Sequence, residues 1–219
     1  MQIQFVLFFS LVGAAHASLI SERNAPSTAN TAQCPDYCAG TLNNQTLIHI
    51  YVCGDSRLGP KRLPTKLPLG SELVTYDRFG GLCPSDYLAK WYNATAVSYI
   101  YPPDDGFQLS TTKSPIEGII TLPIGVLLDR FGSEYGSFMS PYGAPYMQRA
   151  LPPSNLDTPA SDPSWPNNYH VYKVEKSFDT LSGPIAPWFG QPGQGVQYEM
   201  STNVIGLING GFLSRVTLN

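Results

Sequence analysis

Apolar and polar positions follow several different patterns along this chain, and each predicts a different element. Ile3 to Ala15 is a mostly apolar run, closed by the small-x-small site Ala15-His16-Ala17. That pattern predicts a secretory signal peptide over residues 1–17, cleaved after Ala17. The run is too short to span a bilayer, and no later segment is long and apolar enough, so no membrane span is expected. Residues 18–33 are small and polar, which predicts a flexible tail. Thr46–Val52 is rich in β-branched and apolar residues and reads as a strand. Ser56–Gly70 carries Pro60, Pro64 and Pro68 among basic residues and reads as an exposed loop. Pro84–Trp91 reads as a short helix with proline in its first turn, presenting Leu88, Trp91 and Tyr92 inward.

Beyond residue 111 the pattern is one of successive strands and turns. Gly125–Phe131 and Tyr169–Glu175 are the clearest strands. In the second, His170, Tyr172 and Val174 share one face, and Tyr169, Val171 and Lys173 the other. Asn203–Asn209 reads as a short helix closed by Gly210 or Gly211, followed by a last strand, Phe212–Val216. Strands and helices do not alternate, which excludes a parallel, doubly wound nucleotide-binding sheet. The expected fold is α+β, with a mainly antiparallel sheet and short helices over residues 111–219. A disulfide-stabilised N-terminal appendage over residues 18–110 should pack against it.

Composition sharpens this picture. The 219 residues include 20 Gly and 20 Pro and are 12% aromatic but only 13% charged, as in a β-rich, loop-rich extracellular protein. A net charge of −3 argues against nucleic acid as a partner, since that binding needs many phosphate-neutralising cations. All four cysteines, Cys34, Cys38, Cys53 and Cys83, lie in the first half. In a secreted chain they predict two disulfides, with three connectivities open. The Cys34/Cys38 spacing is CxxxC with only His49 nearby, which does not suit zinc, and no metal site is expected. Two sequons, at Asn44 and Asn93, predict glycosylated surface on the same half.

The chemistry concentrates between Leu128 and Tyr198. Arg130 and Arg149 sit among aromatics, glycines and prolines with few other charges, an arrangement suited to phosphate groups. Phe131, Phe138, Tyr142, Trp188 and Phe189 offer stacking surfaces for a flat ring. Standard catalytic sets are absent: there is no G-x-S-x-G, no HExxH and no Walker loop. GQPGQG at residues 190–195 lacks dinucleotide-fingerprint spacing. The tetrapeptide DRFG occurs twice, within Tyr76–Gly80 and Leu128–Gly132, which makes Arg78 a decoy for Arg130.

Several pieces of this stretch occur together: LDRFG (Leu128–Gly132), GSF (Gly136–Phe138), RALPP (Arg149–Pro153), YHVYKVE (Tyr169–Glu175) and APWFGQPGQGVQY (Ala186–Tyr198). Upstream, YDRFGG and DYLAKW lie within Tyr76–Trp91. Together they resemble the tuberculosis necrotizing toxin domain, and most of all the secreted fungal NAD glycohydrolases that contain it. The resemblance implies a secreted or cell-surface enzyme that cleaves the nicotinamide–ribose bond of NAD, and also NADP, to nicotinamide and ADP-ribose. NAD is then the substrate, and no cofactor is implied. Such cleavage releases a leaving group that starts cationic and departs neutral, so it needs no general acid. The resemblance further implies that Arg130 and Arg149 grip the diphosphate and that Phe138 packs beside the nicotinamide ribose. Phe131 would line the same pocket, His170 would stand in the substrate site, and Gln197 would be the catalytic amide, with Gln194 as the alternative. It also implies a homodimer. Two other functions remain open at this point: an ADP-ribosyltransferase toxin, and a non-catalytic surface module that binds a partner through its aromatics.

Overall fold

The computed structural model describes residues 34–218; the proposed signal peptide and the polar tail lie outside the described residues. The chain forms α1 (Leu69–Glu72), α2 (Pro84–Trp91) and a small hairpin of β1 (Tyr92–Asn93) and β2 (Ser98–Tyr99). The larger part follows as β3 (Gly118–Leu122), β4 (Leu127–Phe131), β5 (Phe138–Pro141), β6 (Tyr169–Val174) and β7 (Phe178–Pro184). It ends with β8 (Val196–Glu199), α3 (Val204–Asn209) and β9 (Leu213–Val216). Strands β3 to β9 build one seven-stranded sheet, in the order β3-β7-β8-β5-β4-β6-β9. Every neighbouring pair is antiparallel. The fold is therefore α+β with an antiparallel core, as the strand-and-turn pattern implied.

Alternation along β6 explains how the sheet is covered. Tyr172 and Val174 enter one core with Leu128, Met139 and Leu213, onto which α3 lays Val204 and Leu207. Tyr169 and Val171 enter the opposite core with Phe131, Tyr146, Leu156 and Leu73. Each fully buried side chain of this kind contributes roughly 1.5–3 kcal/mol, so β6 is fastened on both faces. Helix α3 begins where the Asn203 side chain accepts from the Gly206 N–H. It ends at Gly210, and Gly211 takes the left-handed turn that releases the chain into β9.

The N-terminal part has its own core of Leu58, Phe79, Tyr87 and Leu88, which Phe189 from the second half enters. Disulfides join Cys34 to Cys83 and Cys38 to Cys53, settling the connectivity. They close loops of 49 and 15 residues, each contributing roughly 3–4 kcal/mol by the chain-entropy relation. One predicted strand is not formed. Thr46–Val52 winds into turns, with the Leu47 N–H donating to Asn44 O and the Ile50 and Tyr51 N–H groups to Leu47 O. These donors are satisfied locally, leaving only an isolated bridge from Tyr51 to Pro60. Its β-branched residues find no ladder: Thr46 and Ile50 are exposed, and Val52 packs partly against the N-terminal core.

Candidate active site

The site originates in a change of partner along β5. Ser140 and Pro141 pair with Asp129 and Leu128 of β4, whereas Phe138 and Met139 pair with Glu199 and Tyr198 of β8. Beyond Asp129, β4 therefore parts from β5, and the sheet opens. A cavity of about 350 Å³ lies at this opening. Arg130, Phe131, Phe138, Ser140, Arg149 and Gln197 all line it, from β4, β5, the turn after β5 and β8. Its size falls within the range of small-molecule sites.

Arg130 spans the gap that the parted strands leave. Its Nη1 donates to Phe138 O at 2.6 Å and its Nε to Ser133 O at 2.8 Å. Both contacts are to neutral carbonyls, and among the described residues no carboxylate forms a salt bridge with it. Burial pulls its pKa below the usual arginine value, although a guanidinium stays charged. The loop after β4 wraps closely around this group. A Cβ on Gly136 would lie 1.9 Å from Arg130 Nη2, so any side chain there would displace the guanidinium from this position. The site thus contains a half-buried cation that forms no salt bridge among the described residues, the condition for drawing in an anion.

Arg149 is different. It lies on the cavity wall, 5% exposed, but its donors are already taken. Both Asp129 oxygens accept from it, at 2.5 and 2.9 Å; Glu72 accepts at 3.3 Å and Ala144 O at 2.8 and 3.0 Å. Arg149, expected to grip a diphosphate, lines the cavity but has its charge met within the protein by Asp129 and Glu72, and it ties α1 to β4. The Tyr169 hydroxyl stands between the same carboxylates, 2.8 Å from Glu72 and 2.9 Å from Asp129. One hydroxyl hydrogen serves only one of them, and a proton on Glu72 supplies the other bond. Burial, reinforced by the Asp129 charge, pushes the Glu72 carboxyl up to about 7, in accord with that arrangement.

Phe131 packs beneath the cavity against Tyr146 and Tyr169, and the Arg149 guanidinium sits 5.0 Å from its ring centre. Phe138 is half-buried at the mouth. His170 lies directly across from Arg130 in the β4–β6 register but does not line the cavity. Its ring lies against Trp165, centroids 4.3 Å apart, with Nε2 3.2 Å from Asn168 Oδ1. Burial lowers its pKa below the usual imidazole value. His170, expected in the substrate site, stands off the cavity lining here, with Trp165 from the long segment before β6 packed against its ring. Trp188 and Phe189 are likewise removed from the cavity: Trp188 donates to Ile100 O, and Phe189 fills the N-terminal core. Gln194 bonds Gln108 at the surface, which leaves Gln197 as the glutamine on the cavity wall.

Gln197 is 8% exposed, and its Nε2 donates to the main-chain oxygen of Asp105 at 2.9 Å. Tyr101, Asp105, Gly106 and Asn155 also line the cavity. Sequence reasoning missed all four. Asp104-Asp105-Gly106 is legible as a tight turn, but nothing in it signals a neighbour 92 residues away. Arg78, the decoy, donates to Leu58 O outside the cavity. Asn44 and Asn93 are exposed, and each side-chain oxygen caps its own turn. Among the described residues, no group of three or more His, Cys, Asp or Glu is placed to hold a metal ion.

Comparison with known proteins adds to this geometry. The conidial surface nicotinamide adenine dinucleotide glycohydrolase nadA of Aspergillus fumigatus is 54% identical over 204 residues, covering 91% of this chain and 85% of that protein. The family described as Tuberculosis necrotizing toxin matches residues 121–216. The chain belongs to the tuberculosis necrotizing toxin family. Among solved structures, that toxin with its immunity factor aligns at 21% identity and a TM-score of 0.45, covering 78% of this chain and 82% of the toxin chain. Tse6 in complex with Tsi6 aligns at 17% identity and a TM-score of 0.33, covering 47% and 72%. The segment matched to the toxin family contains Arg130, Phe138, Arg149 and Gln197, while Tyr101, Asp105 and Gly106 lie upstream of it.

Proposed function

We propose that this chain is a glycohydrolase that cleaves the bond between ribose and nicotinamide of NAD, acting as a secreted or cell-surface enzyme. The observation that carries the reading is a cavity with one unneutralised guanidinium and one fixed carboxamide, in a chain 54% identical to a named NAD glycohydrolase. Arg130 draws in the diphosphate. Phe138 packs against the nicotinamide ribose, and Phe131 supports it from below. The N-glycosidic bond breaks with its electron pair leaving on nicotinamide, which departs neutral. The ribose carbon becomes electron-poor, as in other glycoside hydrolysis. Water adds there, its proton goes to solvent, and ADP-ribose results. Gln197 supplies an uncharged polar group beside that carbon. Arg149 holds the wall rigid from within. NADP shares the scissile bond and the diphosphate, so the same reading extends to it.

Incubation of the purified protein with NAD, without any protein acceptor, tests this. Nicotinamide and free ADP-ribose in equal amounts are expected. Nicotinamide with ADP-ribose attached to protein would mark a transferase, and no turnover would mark a binding module. The exposed Asn44 and Asn93 support glycosylation, read as a mass loss on treatment with an endoglycosidase. The open outer strand β3, where Ile119 is 74% exposed, supports a homodimer, read by sedimentation.

A further inference from the structure

A carboxamide presents either its oxygen or its nitrogen to a substrate, and the two are chemically opposite. The backbone of Gln197 is fixed by its pairing with Gly183, but that does not choose between the two orientations. The choice is made by Asp105. Its main-chain carbonyl lies 2.9 Å from Gln197 Nε2, and a carbonyl only accepts. The reverse orientation would set two acceptor oxygens against each other in a largely water-free setting. Among the described residues nothing donates to Gln197 Oε1, so that oxygen is the amide's open end on the cavity wall. Gly106 leaves space in front of it: a Cβ there would stand 3.7 Å from Oε1.

The Asp105 carbonyl is held by an unusual backbone. Asp104, Asp105 and Gly106 have successive φ values of 50°, 51° and 81°, all left-handed. Asp and Asn tolerate that conformation, whereas β-branched residues do not. The far end of the strap is fastened to the strand beside β8. Gly106 O accepts from the Ala186 N–H at 2.9 Å, the Gln108 N–H donates to Pro184 O at 2.8 Å, and Phe107 is buried between them.

We propose that Asp105 is a positioning residue: its carbonyl, set by the left-handed strap 104–106, turns the Gln197 carboxamide so that its oxygen faces the substrate. The segment matched to the toxin family begins at residue 121, so the strap lies upstream of it. The inference rests on the NAD-cleaving reading. As the bond to nicotinamide breaks, the ribose hydroxyls and the attacking water become better donors, and an acceptor gains while an NH₂ group repels. The effect therefore belongs to kcat rather than to binding.

Three variants, assayed for nicotinamide release with thermal unfolding measured alongside, test this. Asp105→Val is expected to lower kcat by about tenfold or more while KM moves less than about threefold. Asp105→Asn keeps the left-handed tolerance without the carboxylate and is expected to stay within about threefold of the parent kcat. Gln197→Glu places an acceptor against the Asp105 carbonyl and is expected to be poor at neutral pH. It should recover activity as pH falls, because a protonated glutamic acid again donates to Asp105 and accepts from substrate. Unchanged kcat in Asp105→Val, or an equal loss in Asp105→Asn, overturns the proposal. If Asp105→Val does not fold, the Gln197→Glu profile decides, and a pH profile parallel to the parent's overturns it. A parent protein that releases no nicotinamide would instead overturn the proposed function itself.

Discussion

Three arginines in this chain carry nearly the same sequence signal and have three different fates. Arg130 and Arg78 share the DRFG context, and Arg149 opens RALPP, yet only Arg130 has a guanidinium facing the cavity without a carboxylate partner. Arg130→Ala is accordingly expected to lower NAD cleavage ten- to a hundredfold or more, the loss of a charge-assisted contact, with unfolding little changed. Arg78→Ala is expected to keep its turnover per folded molecule. Arg149→Ala is expected to fail differently. It leaves Asp129 buried without its counter-charge, at a cost of about 3–5 kcal/mol in denaturant unfolding. A variant that binds NAD weakly but unfolds normally would contradict that assignment. The sequence supported Arg149 as a functional candidate but gave no sign of its neutralisation, because Glu72 lies 77 residues away. The surroundings of His170 were illegible for the same kind of reason: Trp165 packs on it through an insertion whose course no local pattern predicts.

At the scale of elements, legibility followed periodicity. The alternation in Tyr169–Val174 assigns each face of the strand to its own core, and the proline-started helix at Pro84–Trp91 turns Tyr87 and Leu88 to the N-terminal core, so local pattern and final structure agree. Thr46–Val52 has strand composition but no partner strand, and turns capped by Asn44 took its place. The partner change along β5 was invisible in sequence, since Phe138 to Pro141 reads as four ordinary residues. That change opens the sheet, and Gly136 lets Arg130 fill the opening. Gly136→Ala tests this directly. The new methyl would meet the far end of a flexible side chain, 1.9 Å from Arg130 Nη2, so the guanidinium moves and the backbone stays. Turnover is expected to fall about tenfold or more while the unfolding temperature changes little. Parent-like turnover would mean that Arg130 has another productive position. The cysteines are all paired, so thiol-blocking reagents are expected to leave native activity intact.

For the whole molecule, the two halves meet in one buried polar cluster: Glu72 from α1, Asp129 from β4, Arg149 and Tyr169. One positive charge faces two carboxyls, and the balance closes when Glu72 holds a proton. Its pKa is raised from 4.5 to about 7 in the fold, first by burial and then by Asp129. A carboxyl raised in this way contributes stability that is fully present below its unfolded value and is lost as pH rises through the folded one. The window is therefore pH 4.5 to about 7. Asp157, also raised to about 7 by burial, acts in the same direction. His170, lowered by burial, acts in the opposite one, losing stability as pH falls below its ordinary value of 6.5. Asp55 and Glu134 are lowered and act at the acid end, below the ordinary carboxylate range. Because these contributions overlap, the parent curve alone does not isolate Glu72. The difference between parent and Glu72→Gln does, since glutamine mimics the protonated acid at every pH. Denaturant unfolding is expected to show Glu72→Gln gaining on the parent by on the order of 1–3 kcal/mol between pH 5 and pH 8. A difference that stays constant across that range would mean that Glu72 is ionised throughout and that Arg149 carries two full negative charges. If the gain appears, the joint between the halves is firmest in acid, and the cavity wall formed by Arg149 loosens as the surroundings approach neutrality.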